Sequence, residues 1–297
     1  MRTTAFNTKG SMVAIVTPMT HDGSLDHTAF AKLLDWHLAM ETQAIVVAGT
    51  TGESPTLSVT EQLGLIEQAV QWSKGRMPII AGTGANSTAE AILLHRRAAE
   101  LGADAGLSVV PYYNKPTQEG LFQHFSAIAD SSSLPVLLYD VPGRCVVNIA
   151  TDTLARLAAH PQIIGIKDAT ADLQRLGEQR AALPADFLIY SGDDGSACAH
   201  TLCGGDGVIS VTANIAPQQM QQMTAAALAG DVTRATQVDA PMRAFHRMQG
   251  IQSSPIPVKW AMADDGQISD TMRLPLTPLA EEFHSLVRQA AALARGH

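Results

Sequence analysis

The stretch Pro135-Val136-Leu137-Leu138-Tyr139-Asp140 is followed at one helix's distance by Ile163-Ile164-Gly165-Ile166-Lys167-Asp168, with a segment of helical period at 151–159 between them. Each run has strand length, is apolar and rich in branched side chains, and ends on a polar residue. A strand apolar on both faces belongs in a parallel sheet covered on both sides, and the intervening helix supplies the crossover such a sheet needs.

Outward from that unit the same pattern repeats along the chain. Strand runs are expected at 12–16, 44–48, 78–82, 105–110, 135–140, 163–167, 187–191 and 207–211. Helices are expected near 27–40, 60–73, 88–101, 118–130, 151–159, 172–182, 195–203 and 217–229. Ser58-Val59-Thr60-Glu61 and Ser87-Thr88-Ala89-Glu90 carry a capping oxygen with an acid in the first turn, which marks two helix starts. Eight units in about 230 residues match a (β/α)8 barrel. We therefore read an α/β chain with a TIM barrel at 1–230, carrying the active site, and a C-terminal helical extension at 231–297. An open doubly wound sheet is the alternative, but it calls for a glycine-rich turn after the first strand. Thr17-Pro18-Met19-Thr20 stands there instead.

Composition narrows the classes of function. A chain of 297 residues with 46% hydrophobic and 16% charged residues can bury a large core without disulfides. Twenty basic against 28 acidic side chains give a formal charge of −8, which argues against nucleic acid or an anionic membrane as the main partner. The opening ten residues lack the layout of a secretory signal and no apolar run reaches bilayer length, so the cytoplasm is expected. Cys145, Cys198 and Cys203 lack metal-ligand spacing, and the ten histidines form no HExxH and end no strand run. Neither a metal nor another cofactor is expected. Gly204-Gly205-Asp206-Gly207 precedes the last strand and reads as a tight turn at the end opposite the active face; the scattered methionines read as core filler.

In a barrel of this kind the chemistry sits at the C-terminal ends of the strands. Those ends read Gly49-Thr50-Thr51-Gly52-Glu53, Pro111-Tyr112-Tyr113-Asn114, Tyr139-Asp140-Val141-Pro142-Gly143-Arg144 and Gly165-Ile166-Lys167-Asp168. Of six lysines, Lys167 alone ends a strand run. An amine facing a barrel interior is partly desolvated, loses its proton more readily and can attack a carbonyl to form an imine. Position alone leaves this reading level with a structural ion pair to Asp168 or another carboxylate. Tyr139, on the adjacent strand, could carry the protons such chemistry moves, linked through the hydroxyls of Thr51 and Tyr113. A tyrosine with its hydroxyl in solvent is the plainer reading for each taken singly. The Thr50-Thr51 pair between glycines suits a carboxylate cradle, and equally an ordinary strand-to-helix turn.

Together these segments, with Pro111-Tyr112-Tyr113-Asn114-Lys115-Pro116, Ser191-Gly192-Asp193-Asp194 and Gly207-Val208-Ile209-Ser210-Val211-Thr212-Ala213-Asn214, resemble the dihydrodipicolinate synthase family of pyruvate-dependent Schiff-base lyases over essentially the whole chain. The resemblance implies that Lys167 forms the imine with pyruvate and that Tyr139, Thr51 and Tyr113 relay protons, Tyr113 reaching into a neighbouring subunit. It implies pyruvate contacts from Thr50, Thr51, Gly192 and Ile209, and a clamp from Arg144 on the carboxylate of the second substrate, aspartate semialdehyde. It further implies a homotetramer of tight dimers serving lysine and diaminopimelate synthesis.

Three departures stand out. Asp140 replaces a frequent asparagine, and Cys145-Val146 follows Arg144 where Thr-Gly is common, which could stiffen or re-aim that loop. Asn86, Glu90 and Tyr112 match the family's lysine-regulatory cleft, but Val59 and Gln62 replace its two histidines, so weak or absent lysine inhibition is expected. Other pyruvate-dependent aldolases, acting on N-acetylneuraminate or 2-keto-3-deoxy sugar acids, stay open as alternatives, as does a non-catalytic keto-acid binder. Arg144 opposes the aldolases and the intact Lys167 set opposes the binder.

Overall fold

The structure is a computed structural model that describes residues 6–296. Residues 1–5, part of the opening segment read above for a leader, and His297 lie outside the described residues.

Eight strands form one closed parallel barrel in chain order. They are β1 (Gly10–Ala14), β2 (Ile45–Val47), β3 (Ile79–Gly82), β4 (Ala105–Val109), β5 (Val136–Asp140), β6 (Ile163–Asp168), β7 (Leu188–Ser191) and β8 (Gly207–Ser210). Closure comes from β8 pairing with β1, Gly10 opposite Gly207 and Val13 opposite Ser210. A side chain has no room at that seam: a Cβ on Gly207, whose φ is +131°, would lie 2.1 Å from the Gly10 carbonyl oxygen. The run expected at 12–16 begins two residues earlier, because Gly10 and Ser11 join the ladder without an apolar side chain to announce it. It ends earlier because the Val16 N–H turns to the Asn214 side chain (3.0 Å) rather than to a neighbouring strand.

The helices are α1 (His27–Ala39), α2 (Val59–Ser73), α3 (Thr88–Leu101), α4 (Gln118–Ala129), the single turn α5 (Pro142–Cys145), α6 (Thr151–Ala158), α7 (Leu173–Ala182), α8 (Ala197–Leu202) and α9 (Pro217–Leu228). Both expected caps form. Ser58 and Glu61 make a reciprocal capping box on α2, and the Ser87 side chain accepts from the Glu90 N–H on α3. The short α5 carries Arg144 and gave no periodic signal, being only four residues long.

Alternation along the strands sorts the side chains into two layers. Ala14, Val46, Leu107, Val109, Tyr139 and Lys167 face one interior cavity. The intervening Val13, Ile45, Val47, Ile79, Ala81 and Val208 pack outward with the helices. At the opposite end Asp206 gathers Lys9 Nζ (2.7 Å), Arg180 and the Ile189 N–H (2.8 Å), so the glycine-rich turn ties the base of the barrel. Met12, Met19, Met220, Met223, Met242 and Met262 are all fully buried.

Three further helices form the C-terminal extension: α10 (Val232–Met248), α11 (Ile256–Asp264) and α12 (His284–Arg295). Met242, Phe245, Trp260, Val287 and Ala291 share one core with barrel residues. Burying Phe245 alone contributes about 2–3 kcal/mol. No helix among the described residues is long and apolar enough to cross a membrane.

Candidate active site

Strand alternation separates Lys167 from its neighbour in a way that sets the chemistry. Lys167 faces the interior at the C-terminal end of β6 and is only 5% exposed. Asp168 faces the helices, where its Oδ2 accepts from Arg175 Nε (2.8 Å) and Gln179 Nε2 (2.8 Å) and its Oδ1 from the Thr170 hydroxyl (2.6 Å). The adjacent carboxylate is thus taken up by other donors, and the Lys167–Asp168 ion pair that position alone allowed does not form. Burial pulls the Lys167 ammonium down from its ordinary 10.5 to about 8; the Asp194 charge acts against this and the Arg144 charge with it. An amine in that range is substantially neutral near pH 8 and able to add to a carbonyl.

Tyr139 pairs with Lys167 in strand register, and Lys167 Nζ lies 4.4 Å from the centre of its ring. Burial pushes the Tyr139 phenol up to about 12, tempered by the Arg144 charge and by the nearby Thr50 side chain. The phenol keeps its proton and stands as a proton donor beside the amine. Thr50, half-buried, lines the Lys167 cavity, whereas the buried Thr51 does not. Tyr113 is not brought to Lys167 within one chain: it is 92% exposed and held at φ +74°.

The other expected contacts fall around this centre. A Cβ on Gly192 would come within 2.9 Å of Lys167 Cε and 3.1 Å of Cγ, so that glycine makes the wall along which the lysine stem lies. Ile209 is fully buried on β8. Arg144 lines a larger cavity of about 330 Å3 together with Thr50, Glu90 and Tyr112, and its Nη2 donates to the Ser254 carbonyl (2.9 Å). In the loop after it Val146 sits at φ +69°, ψ −36°, strained backbone for a branched side chain. Asn86 Nδ2 donates to the Tyr112 carbonyl (3.2 Å), and Val59 and Gln62 border the same cavity.

Several acidic groups around the site have partners that gave no sequence signal. Asp140 and Asp168, on adjacent strands, share one guanidinium: Arg175 Nη2 reaches Asp140 Oδ2 at 2.7 Å, and the Ile149 N–H donates to the same oxygen (3.1 Å). Burial raises Asp140 to about 7, with Arg175 opposing and Asp168 adding to the shift. Asp194 Oδ2 accepts from the N–H groups of Val211 and Thr212 and from Gln249 of the extension. Glu53 is buried in an ion pair with Lys259 of α11 (2.6 Å). A lone lysine within the apolar run Ile256-Pro257-Val258-Lys259-Trp260-Ala261-Met262 is the one cue that could have flagged a buried partner.

The depressed Lys167 value has a direct check. Competitive acetylation of its peptide by acetic anhydride across a pH series is expected to give a midpoint at about 8. Arg144→Ala should move it upward, since that charge lowers it. A midpoint at the ordinary 10.5 would contradict the desolvation argument.

Comparison with known proteins agrees with this geometry. Residues 7–293 match the dihydrodipicolinate synthetase family. A 4-hydroxy-tetrahydrodipicolinate synthase of Azoarcus sp. (strain BH72) is 54% identical over 281 residues, 95% of this chain and 96% of that protein. One from Nitrosospira multiformis is 54% identical over 286 residues, 96% of this chain and 95% of that one. The crystal structure of a chloride-inhibited dihydrodipicolinate synthase from Acinetobacter baumannii, complexed with pyruvate, superimposes with a TM-score of 0.95 at 50% identity, covering 96% of this chain and 98% of that one. The chain belongs to the dihydrodipicolinate synthetase family.

Proposed function

We propose that this protein is a lyase that condenses pyruvate with L-aspartate 4-semialdehyde to give 4-hydroxy-tetrahydrodipicolinate, a step of lysine and diaminopimelate synthesis. The observation that carries the reading is the desolvated, unpaired Lys167 amine against Tyr139 inside a closed barrel. The neutral amine adds to the pyruvate ketone, and the carbinolamine loses water to leave an iminium on Lys167. Tyr139 gives its proton to the departing hydroxyl, and its phenolate then takes one from the adjacent methyl carbon, which the iminium has acidified, leaving an enamine. The resulting enamine attacks the aldehyde carbon of the semialdehyde, forming the carbon–carbon bond and a hydroxyl. The amino group of that adduct then displaces Lys167 and closes the ring.

Tyr139 and Thr50 are suited to move protons in the first and last steps because both line the Lys167 cavity. We assign Thr51 and Tyr113 to the same relay, with Tyr113 acting from a second copy of the chain. Its near-complete exposure at a barrel mouth fits an aromatic side chain that inserts into a partner. We assign Thr50, Thr51, Gly192 and Ile209 to pyruvate, and Arg144 to the second carboxylate as a planar fork. Residues 1–230 would then form the catalytic barrel and 231–297 its extension, in a cytoplasmic homotetramer.

The acceptor test is pyruvate consumption by the purified protein. Fast loss is expected with aspartate semialdehyde, none with sugar aldehydes, and none with the Lys167→Ala variant. Turnover with a sugar aldehyde alone would keep the imine chemistry and overturn the acceptor.

Lysine should inhibit weakly or not at all. Val59 offers no polar atom, and Gln62 Nε2 is already committed to the Gly82 carbonyl (2.7 Å). No half-inhibition is expected below about 1 mM lysine in the same assay. Half-inhibition at submillimolar lysine would contradict this.

A further inference from the structure

The loop that carries Thr50 and Thr51 is a closed turn whose far end is anchored in the C-terminal extension. The Glu53 N–H donates to the Thr50 carbonyl (3.1 Å), the Ser54 N–H to the Gly49 carbonyl (3.3 Å), and the Thr17 hydroxyl to the Gly52 carbonyl (2.7 Å). Glu53 completes the turn at φ +57°, ψ +35°, a left-handed backbone that a residue with a Cβ rarely adopts. Its side chain turns to the C-terminal extension. Oε1 accepts from Lys259 Nζ at 2.6 Å, and both side chains have no solvent exposure. Lys259 also donates to the Thr271 carbonyl (2.7 Å), and the Arg273 N–H lies 3.4 Å from Glu53 Oε2. Arg273 in turn binds the Thr56 carbonyl (2.9 Å) and the Glu61 carboxylate (2.5 and 2.9 Å) on the segment that follows.

Nothing in the imine chemistry requires a charge pair buried at this place. Burying two ions costs desolvation, and an apolar pair of the same volume would hold two elements together as well. An ion pair does differ from an apolar contact in being directional: it fixes where the carboxylate sits, and through one short side chain where the Glu53 backbone sits. We propose that Lys259 is a positioning residue for the reaction: by fixing the Glu53 carboxylate, it holds the 49–53 turn in the left-handed closure that aims the Thr50–Thr51 segment at the Lys167 cavity. Neither Lys259 nor Glu53 touches substrate on this account. The inference rests on the proposed function of the site, in which that segment holds the pyruvate carboxylate.

The test separates positioning from mere stability by splitting KM from kcat. In the double variant Glu53→Gln/Lys259→Met both charges are gone and no lone buried charge remains. In Glu53→Asp the ion pair keeps its charges but the turn must shift by one methylene. Each is compared with the wild-type protein for thermal unfolding and for pyruvate KM and kcat with aspartate semialdehyde. The expected result is a rise in pyruvate KM of about tenfold or more, larger than the fall in kcat, in a variant that still unfolds cooperatively. If the double variant does not fold, Glu53→Asp decides by the same reading. Pyruvate KM and kcat unchanged in a folded variant, whatever its unfolding temperature, would overturn the proposal. An inactive wild-type protein would instead overturn the reading of the site on which it rests.

Discussion

Desolvation of one amine is the constraint around which the catalytic end of this barrel is organised. Lys167 can be neutral only if it is buried and if no carboxylate holds its proton, yet its immediate neighbour in sequence is an aspartate. The pleat resolves the conflict by turning Asp168 to the other face of β6. Arg175 then bridges Asp168 and Asp140, so two strand-end carboxylates are engaged by a guanidinium on the helix side while the amine stands inside the barrel. Arg144 adds a positive charge on the cavity side and lowers Lys167 further, whereas Asp194 acts the other way. The resulting value near 8 lies where a lysine is both partly neutral and still basic enough to be a good nucleophile.

The second layer of the design is the set of tethers from the C-terminal extension. Three of the loops that surround Lys167 each meet it through a polar contact. Glu53 meets Lys259, Arg144 meets the Ser254 carbonyl, and Asp194 meets Gln249. Loops at the mouth of a barrel are the least constrained part of the fold, and catalysis needs their side chains held to fractions of an ångström. A helical extension packed through Phe245, Trp260 and Val287 supplies a rigid body against which to hold them. The left-handed backbone at Glu53 and at Val146 marks two places where the chain departs from relaxed geometry at this mouth.

Much of this arrangement was legible in the amino-acid sequence, and the remainder has a common physical reason for being hidden. Strand runs such as 135–140 and 163–167 are nearly continuous apolar segments because both faces are buried, so their period and length are visible locally. Lys167 stood out because a charged residue closing such a run must be explained. The Glu53–Lys259 pair spans 206 positions and the Arg175–Asp140 contact 35, and no local pattern links either pair. That Thr50 rather than Thr51 lines the Lys167 cavity depends on which way a turn faces, which adjacent identical residues cannot disclose. Gly192 could be named as a site residue by resemblance, but its closeness to the lysine stem emerges only when β6 and β7 are placed side by side.

All of these features serve one claim, that the Lys167 amine is the atom that bonds to pyruvate. The most direct measurement is borohydride reduction of the protein with pyruvate at about pH 8, followed by peptide mass mapping. The account predicts a mass gain of one reduced pyruvate on the peptide containing Lys167 and on no other lysine-containing peptide. An unmodified Lys167 peptide, or the adduct on a different lysine, would contradict it.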